Sequence, residues 1–153
     1  MFQGRLEAIA IRRVKSGQID LVESAVAEPE RGLVGDHVVH GIGASATNPG
    51  EKQITLVEAE ALEAVRGEDN LVLSHSESRR NLLTRGVPLN HLVGKQFRVG
   101  SLLLEGQELC EPCSHLEKLT GKKLISPFLH RCGLRARIVE GGTVKVGDLV
   151  QEA

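Results

Sequence analysis

The sequence contains very few aromatic residues. Three of its 153 residues are Phe, and Trp and Tyr are absent. Proteins that bind single-stranded nucleic acid usually stack the bases on aromatic side chains, so this scarcity argues against that class. It argues equally against a carbohydrate site or an aromatic cage. The formal net charge is −1, which gives no electrostatic reason to expect nucleic acid or an anionic membrane as a partner.

Long apolar runs are also missing. No stretch approaches the roughly 20 apolar residues that a membrane-spanning helix needs. The N-terminus lacks the basic region and long apolar run of a signal peptide. We therefore expect a cytoplasmic protein. Its three cysteines are an odd number, and in a reducing compartment such residues are free thiols, metal ligands or catalytic groups more often than disulfides.

The composition that remains is that of an ordinary globular protein. Hydrophobic residues make up 41% of the chain and charged residues 25%, which is a balance typical of soluble domains. The length fits one domain with a core large enough to fold without disulfides. The sequence shows neither an internal repeat nor a linker, so we predict a single domain over residues 1–153.

Apolar residues alternate with a period of two in the first part of the chain, which predicts strands. One strand is expected over residues 4–13 and an antiparallel partner over 18–27, with a turn at Lys15-Ser16-Gly17. Residues 28–52 are rich in Gly, Pro, Asn and Ser, and a loop of that length in a compact domain is usually functional. A strand over 53–57 should then lead into a helix that ends at Gly67.

The second half of the sequence continues the β pattern. Two strands should flank a tight turn at Gly100-Ser101, and the C-terminal segment should form a hairpin through Gly141-Gly142. The total is six or seven strands and two or three short helices without alternating βαβ order. This pattern predicts a mainly β protein, built as a closed or half-closed β-barrel.

The segment over residues 107–121, QELCEPCSHLEKLTG, has the most chemical content. Cys110 and Cys113 have the spacing C-x-x-C at the end of a predicted strand. Ser114 and Glu117 have the spacing of a capping box, which would open a short helix closed by Gly121. Cys113 would then lie just outside a helix N-terminus, where the dipole favours a thiolate. A thiolate suits a nucleophile, a persulfide carrier or a soft-metal ligand.

Other interpretations of these cysteines remain open at the level of spacing. Each could be a buried structural residue. A structural zinc ion could use Cys110, Cys113, His115 and Cys132, although one C-x-x-C pair is a weak zinc signal. A thioredoxin-like dithiol would need a βαβ context that the pattern lacks. Asp36, His37 and His40 suggest a metal site or an acid–base pair on the long loop. The Gly content of that loop favours exposed or loop-packing histidines instead.

Six segments, in order along the chain, carry a resemblance to a known family. They are GLVGDH at 32–37, KQITLVEAEAL at 52–62, RRNLLTRGVPL at 79–89, FRVGSLLLEG at 97–106, CEPCSHLEKLTG at 110–121 and GLRARIVEGGTVKVGD at 133–148. With them the sequence resembles the MOSC family, named for the C-terminal domain of molybdenum-cofactor sulfurases, and most of all its small stand-alone bacterial members. The resemblance implies a distorted β-barrel similar to the barrel domain of pyruvate kinase.

The resemblance also implies a cofactor and the residues that would hold it. Family members that reduce N-hydroxylated compounds bind molybdenum cofactor, and their metal-ligating cysteine falls on Cys113, where a soft thiolate suits the metal. Their Lys-Ser pair is matched by Lys15 and Ser16, and their Arg-x-Asn element by Arg79 and Asn81, which could contact the phosphate and the pterin edges. Directly after Gly35-Asp36, this chain has His37 at a position where the family's reductases often have Arg. A phosphate contact at this position would therefore depend on pH.

Three functions follow from the resemblance. The first is a molybdenum-cofactor protein that reduces N-hydroxylated bases or related small compounds, with Cys113 as metal ligand. The second is a sulfur carrier that holds a persulfide on Cys113 for cofactor or metal–sulfur assembly, and the third is a non-catalytic binding module. The first two need a separate electron-donor or sulfur-donor protein. At the family level, pyridoxal phosphate binding is also implied, and we assign no residue to it.

Overall fold

The computed structural model describes residues 1–14, 17–36 and 53–153. In this part of the chain the strands are β1 (Gln3–Arg12), β2 (Ile19–Val22), β3 (Ser24–Glu28), β4 (Gly32–Leu33), β5 (Ile54–Glu58), β6 (Leu82–Arg85), β7 (Gln96–Val99), β8 (Leu102–Leu109), β9 (Leu134–Glu140), β10 (Gly142–Lys145) and β11 (Leu149–Glu152). The helices are α1 (Ala59–Asp69), α2 (His75–Ser78), α3 (Ser114–Thr120), α4 (Ile125–Phe128) and a 3₁₀ helix, Leu89–Leu92. None of these helices is long and apolar enough to cross a membrane.

Seven strands close into a barrel. They follow the order β11-β7-β8-β9-β5-β6-β1, and β1 pairs again with β11 to complete the ring. Neighbouring strands are antiparallel except β5 and β6, which are parallel and are joined through α1 and α2. The prediction of a mainly β protein with a β-barrel is therefore confirmed. The single parallel pair was not predicted. Its paired residues Val57 and Leu83 are 26 positions apart, so the pairing depends on the helical connection between them and not on a local pattern.

The barrel and the helices have separate apolar cores that share strand β5. Ile54 and Leu56 point into the barrel interior, where they pack with residues such as Leu6 and Phe97. Val57 points the other way and packs under the helices with Leu116 of α3 and with Phe128, Leu124 and Cys132. Since β5 is covered on both faces, it is a continuous apolar run and not an alternating one. This second core fixes the position of α3 and of the cysteine segment before it.

The predicted hairpin through Gly141-Gly142 is wrong. Strand β10 leaves β9 and pairs with β3 in a separate three-stranded sheet, of order β10-β3-β4. The two glycines permit a close crossing of chains: a Cβ atom on Gly141 would lie 2.5 Å from the Ala27 carbonyl oxygen, and Gly142 has a φ of 148°. Here glycine marks close backbone contact and not a two-residue turn.

Other local predictions agree with the structure only in part. Helix α1 runs through Gly67 and ends at Asn70, whose left-handed backbone (φ 53°) terminates it. The strand predicted over 18–27 breaks at Glu23 into β2, which pairs with β1, and β3, which joins the three-stranded sheet. The tight turn at Gly100-Ser101 is confirmed, since it joins β7 to β8. Within the predicted loop, residues 32–33 form β4, whereas 37–52 lie outside the described residues.

Candidate functional site

Cys113 is the exposed cysteine, and it lies at the N-cap position of helix α3. Its carbonyl oxygen accepts a hydrogen bond from the Glu117 N–H, at 3.2 Å. The predicted capping box is wrong, because the helix begins one residue earlier than expected and no side chain caps it. The Glu117 carboxylate instead accepts hydrogen bonds from the Leu124 and Ile125 N–H groups, at 3.0 and 3.2 Å. Glu117 therefore joins α3 to α4 and does not cap the helix.

The other two cysteines are buried behind this segment. Cys110 is 0% exposed and Cys132 is 1% exposed. The Cys110 N–H donates to the Gly133 carbonyl at 2.8 Å, which places both cysteines at the end of the β8–β9 ladder. Burial raises the pKa of the Cys132 thiol despite the opposing charge of Arg80. Cys132 is therefore a protonated, structural thiol at neutral pH.

Arg80 holds the cysteine segment together. Its Nε donates to the Cys132 carbonyl oxygen at 2.9 Å, and its Nη2 lies 3.1 Å from the Cys132 sulfur. Burial opposes the charge on Arg80, but interactions with Cys110, Cys132 and Cys113 outweigh burial and raise its pKa. One guanidinium group therefore lies close enough to interact with all three cysteines.

A buried polar network lies beside this region, at the end of β1. The Asp36 carboxylate accepts hydrogen bonds from the Arg12 N–H (2.7 Å), Arg12 Nη2 (2.9 Å) and Asn81 Nδ2 (3.1 Å). Asn81 also donates to the Ala10 carbonyl and accepts from the Thr55 N–H. Asp36 and Asn81 are each 0% exposed. In this structure their side chains contact Arg12, Thr55 and each other, and cofactor contact by these two residues stays a prediction.

Arg79 differs from its neighbours because one of its donors is unused. It ends α2 with a left-handed backbone, φ 58°, and its Nη1 donates to the Gly17 carbonyl oxygen at 2.9 Å. Its Nη2 is buried and has no hydrogen-bond partner in the described part of the chain. Burial lowers the pKa of Arg79, and the charge of Arg12 lowers it further. Arginine nevertheless keeps its charge in proteins, so this is a partly buried cation with a free donor.

The three consecutive residues Arg79, Arg80 and Asn81 thus connect three parts of the site. Arg79 contacts the turn after β1, Arg80 contacts the cysteine segment, and Asn81 contacts Asp36. Lys15, Ser16, His37 and His40 lie outside the described residues. Arg79 does reach Gly17, the residue directly after the Lys15-Ser16 pair.

Sequence reasoning missed Arg12, Thr55 and Arg80. Arg12 had a detectable signal, because it ends the apolar run Ala8-Ile9-Ala10-Ile11 and an arginine there needs a buried partner. Arg80 had no sequence signal of its own other than its position next to Arg79. The zinc interpretation gains no support, since among the residues the structure describes no three His, Cys, Asp or Glu side chains are grouped so as to hold a metal ion.

Comparison with known proteins identifies the family. The family model of the MOSC domain matches residues 28–151. Among solved structures, the YuaD protein from Bacillus subtilis superimposes with a TM-score of 0.78 at 17% identity, covering 98% of this chain and 97% of that one. YiiM from Geobacillus stearothermophilus gives 0.69 at 13% identity (98% and 75% covered), and YiiM from Escherichia coli 0.67 at 18% (97% and 69%). These likenesses show the fold. No curated protein matches the sequence.

Proposed function

Because the chain belongs to the MOSC domain family, we propose that it binds molybdenum cofactor, with Cys113 as the molybdenum ligand and Arg79 at the cofactor phosphate. We propose further that it reduces N-hydroxylated bases or related small compounds. The observation that carries this proposal is the Arg79 Nη2 group, a buried donor without a partner. Leaving such a donor unpaired costs about 1–3 kcal/mol, and this cost is removed if an anion accepts its hydrogen bond.

The residues present fit the cofactor at both of its ends. A phosphate is a good partner for a guanidinium because the two form charge-assisted hydrogen bonds. Nη1 of Arg79 is fixed by Gly17, so the fork is already oriented before a ligand arrives. At the other end, the exposed sulfur of Cys113 is a soft ligand of the kind that molybdenum takes. Lys15 and Ser16 directly precede Gly17 in the sequence and would complete the phosphate site.

The protein's own residues would position the reaction, and the bound cofactor would supply the two-electron redox chemistry. Cys113 is exposed and would hold the metal, while the Glu117 carboxylate is engaged by the Leu124 and Ile125 N–H groups. Arg80 holds the backbone of Cys132 and so supports the cysteine segment. The Asp36–Arg12–Asn81 network supports the strand end from which Arg79 reaches the turn.

Metal analysis of purified protein tests the proposal. Protein from a host that makes molybdenum cofactor should contain molybdenum by elemental analysis and a pterin by fluorescence after oxidation. Cys113→Ala should lose the metal but keep its circular dichroism spectrum. Stoichiometric molybdenum in that variant would exclude Cys113 as the ligand.

Arg79 has a separate test with a matched control. Arg79→Ala should weaken cofactor binding by about 1.5–3 kcal/mol, the worth of a charged hydrogen bond. Arg66→Ala removes the same charge from an exposed position on α1 and should leave binding unchanged. Equal cofactor content in the two variants would contradict the assignment of Arg79 to the phosphate.

A specific observation favours the sulfur carrier as a second candidate. Cys113 is accessible, whereas Cys110 and Cys132 are both buried, so a persulfide on Cys113 would be presented to a partner protein. Incubation with a cysteine desulfurase and cysteine should then increase the mass of the protein by one sulfur atom at Cys113. Protein that carries molybdenum and takes up no sulfur would favour the reductase.

A further inference from the structure

Three lysines converge on one cleft directly after Cys113. Lys118, Lys122 and Lys123 line it together with Ser114, Glu117 and Gly121, and its volume is about 270 Å³. We name this surface the lysine cleft. It is formed by α3 and the segment that leads to α4, so it begins one residue after the accessible thiol of Cys113.

The lysine cleft has more positive charge than the protein neutralises. Its one carboxylate, Glu117, faces the backbone N–H groups of Leu124 and Ile125. Lys122 is neutralised by Glu77, with Nζ–O distances of 2.7 and 2.9 Å, and this contact lowers the pKa of Glu77. In the part of the chain that the structure describes, Lys118 and Lys123 form no ion pair. Two cations therefore remain available on a protein whose formal net charge is −1.

Three exposed apolar side chains lie on the same elements of the chain as the lysines. Leu119 and Ile125 are each 37% exposed and Leu129 is 47% exposed. All three belong to α3, α4 or the residue after α4. Exposed apolar residues on the elements that carry the lysines can add apolar contact to a charged docking surface.

We propose that the lysine cleft and its apolar edge form the docking surface for an acidic protein, the separate donor that delivers electrons or sulfur to Cys113. This inference rests on the proposed function for the identity of the donor, but the surface itself is defined by charge. Lys118 and Lys123 would attract carboxylates and orient the partner, and Leu119, Ile125 and Leu129 would give apolar contact. An acidic partner is favoured over a nucleic acid because the surface has no aromatic residue for stacking.

A titration of the full-length, isotope-labelled protein, followed by NMR, tests the docking surface. The probe is a short synthetic peptide rich in Glu that carries two spaced Leu residues. We expect saturable shift changes confined to residues 114–129, and binding that weakens as salt is added. Lys118→Glu/Lys123→Glu should weaken binding by about 10-fold or more because both cations become anions. Lys95→Glu/Lys145→Glu, at exposed positions on other elements, changes the net charge equally and should leave binding unchanged.

Three results would overturn the proposal. The peptide could change chemical shifts outside the lysine cleft, the control variant could weaken peptide binding as much as the Lys118→Glu/Lys123→Glu variant, or the affinity for the peptide could be independent of Lys118 and Lys123. Binding of phosphatidylglycerol vesicles through this surface without peptide binding would assign it to a membrane instead. Molybdenum content is measured on the same variants and should not change. Peptide binding by a protein that never contains molybdenum would refute the proposed function and leave the docking surface standing.

Discussion

The buried ion pair between Arg12 and Asp36 allows a prediction whose size follows from the structure. The side chains of Arg12 and Asp36 are 7% and 1% exposed, and the Arg12 Nη2 to Asp36 Oδ2 distance is 2.9 Å. Asp36→Ala would leave the guanidinium of Arg12 buried without its carboxylate. Removing one partner of a buried pair costs about 3–5 kcal/mol. We expect that loss in the free energy of unfolding, measured by urea denaturation.

The adjacent residue provides a matched control. Arg13 forms the same type of ion pair with Asp20, at 2.8 Å, but those side chains are 43% and 33% exposed. Water compensates an exposed charge that loses its partner, so Asp20→Ala should destabilise the protein far less than Asp36→Ala. The two variants thus compare the same chemistry on neighbouring residues and differ in burial.

A double variant separates the pair from its surroundings. Arg12→Leu/Asp36→Ala removes both charges, so no charge is left unpaired, and it should recover part of the stability lost in Asp36→Ala. Recovery should be incomplete because Asn81 Nδ2 also loses its contact with Asp36. A loss below about 1 kcal/mol in Asp36→Ala would refute a structural role for the network. So would a double variant no more stable than the sum of its single changes.

Two further predictions concern the cysteines and a histidine. Iodoacetamide should modify Cys113 in the native protein, whereas Cys110 and Cys132 should react only after denaturation, because both are buried. Mass spectrometry of tryptic peptides measures which cysteine is modified. Modification of Cys110 before Cys113 in the native protein would show that their roles are reversed. His75 is 8% exposed, its Nε2 donates to the Arg80 carbonyl at 2.8 Å, and burial lowers its pKa. Because the unfolded chain then binds the proton more readily, stability should be full above the ordinary histidine pKa of about 6.5 and fall as the pH drops below it. His75→Gln should reduce that slope in urea midpoints, and an unchanged slope would exclude His75 as its source.

The parts of the fold that follow from local pattern could be predicted from the sequence. The apolar alternation of β1 and the glycine turn between β7 and β8 are confirmed, because neighbouring residues alone determine them. The closure of β1 on β11 joins Gln3 to Gln151, and no local signal contains that pairing. The same limit explains the wrong hairpin at Gly141-Gly142: a glycine that allows close contact with Ala27 has the same sequence signature as a turn glycine.

The candidate site could also be predicted only in part from the sequence. Resemblance selected Asp36, Arg79 and Asn81, and the structure brings them to one region of the barrel around Arg12. Sequence could not separate their roles, because a polar residue that binds a ligand and one that supports its neighbour have the same composition. Burial and hydrogen bonding distinguish their contacts. Asp36 and Asn81 bond to protein partners, whereas Arg79 Nη2 has no partner in the described part of the chain.

The order of Arg79, Arg80 and Asn81 explains why one short segment can serve binding, chemistry and stability together. Helix α2 ends at Arg79 in a left-handed conformation, and that change of direction sends successive side chains to different neighbours. Arg79 then faces the turn at Gly17, Arg80 the carbonyl and sulfur of Cys132, and Asn81 the buried carboxylate. A change at Asn81 should therefore unfold the site, and one at Arg80 should loosen the cysteine segment. Of these three residues, Arg79 is the one that keeps a donor without a partner in the described part of the chain. Among the three, Arg79→Ala should therefore reduce ligand binding with the least loss of stability.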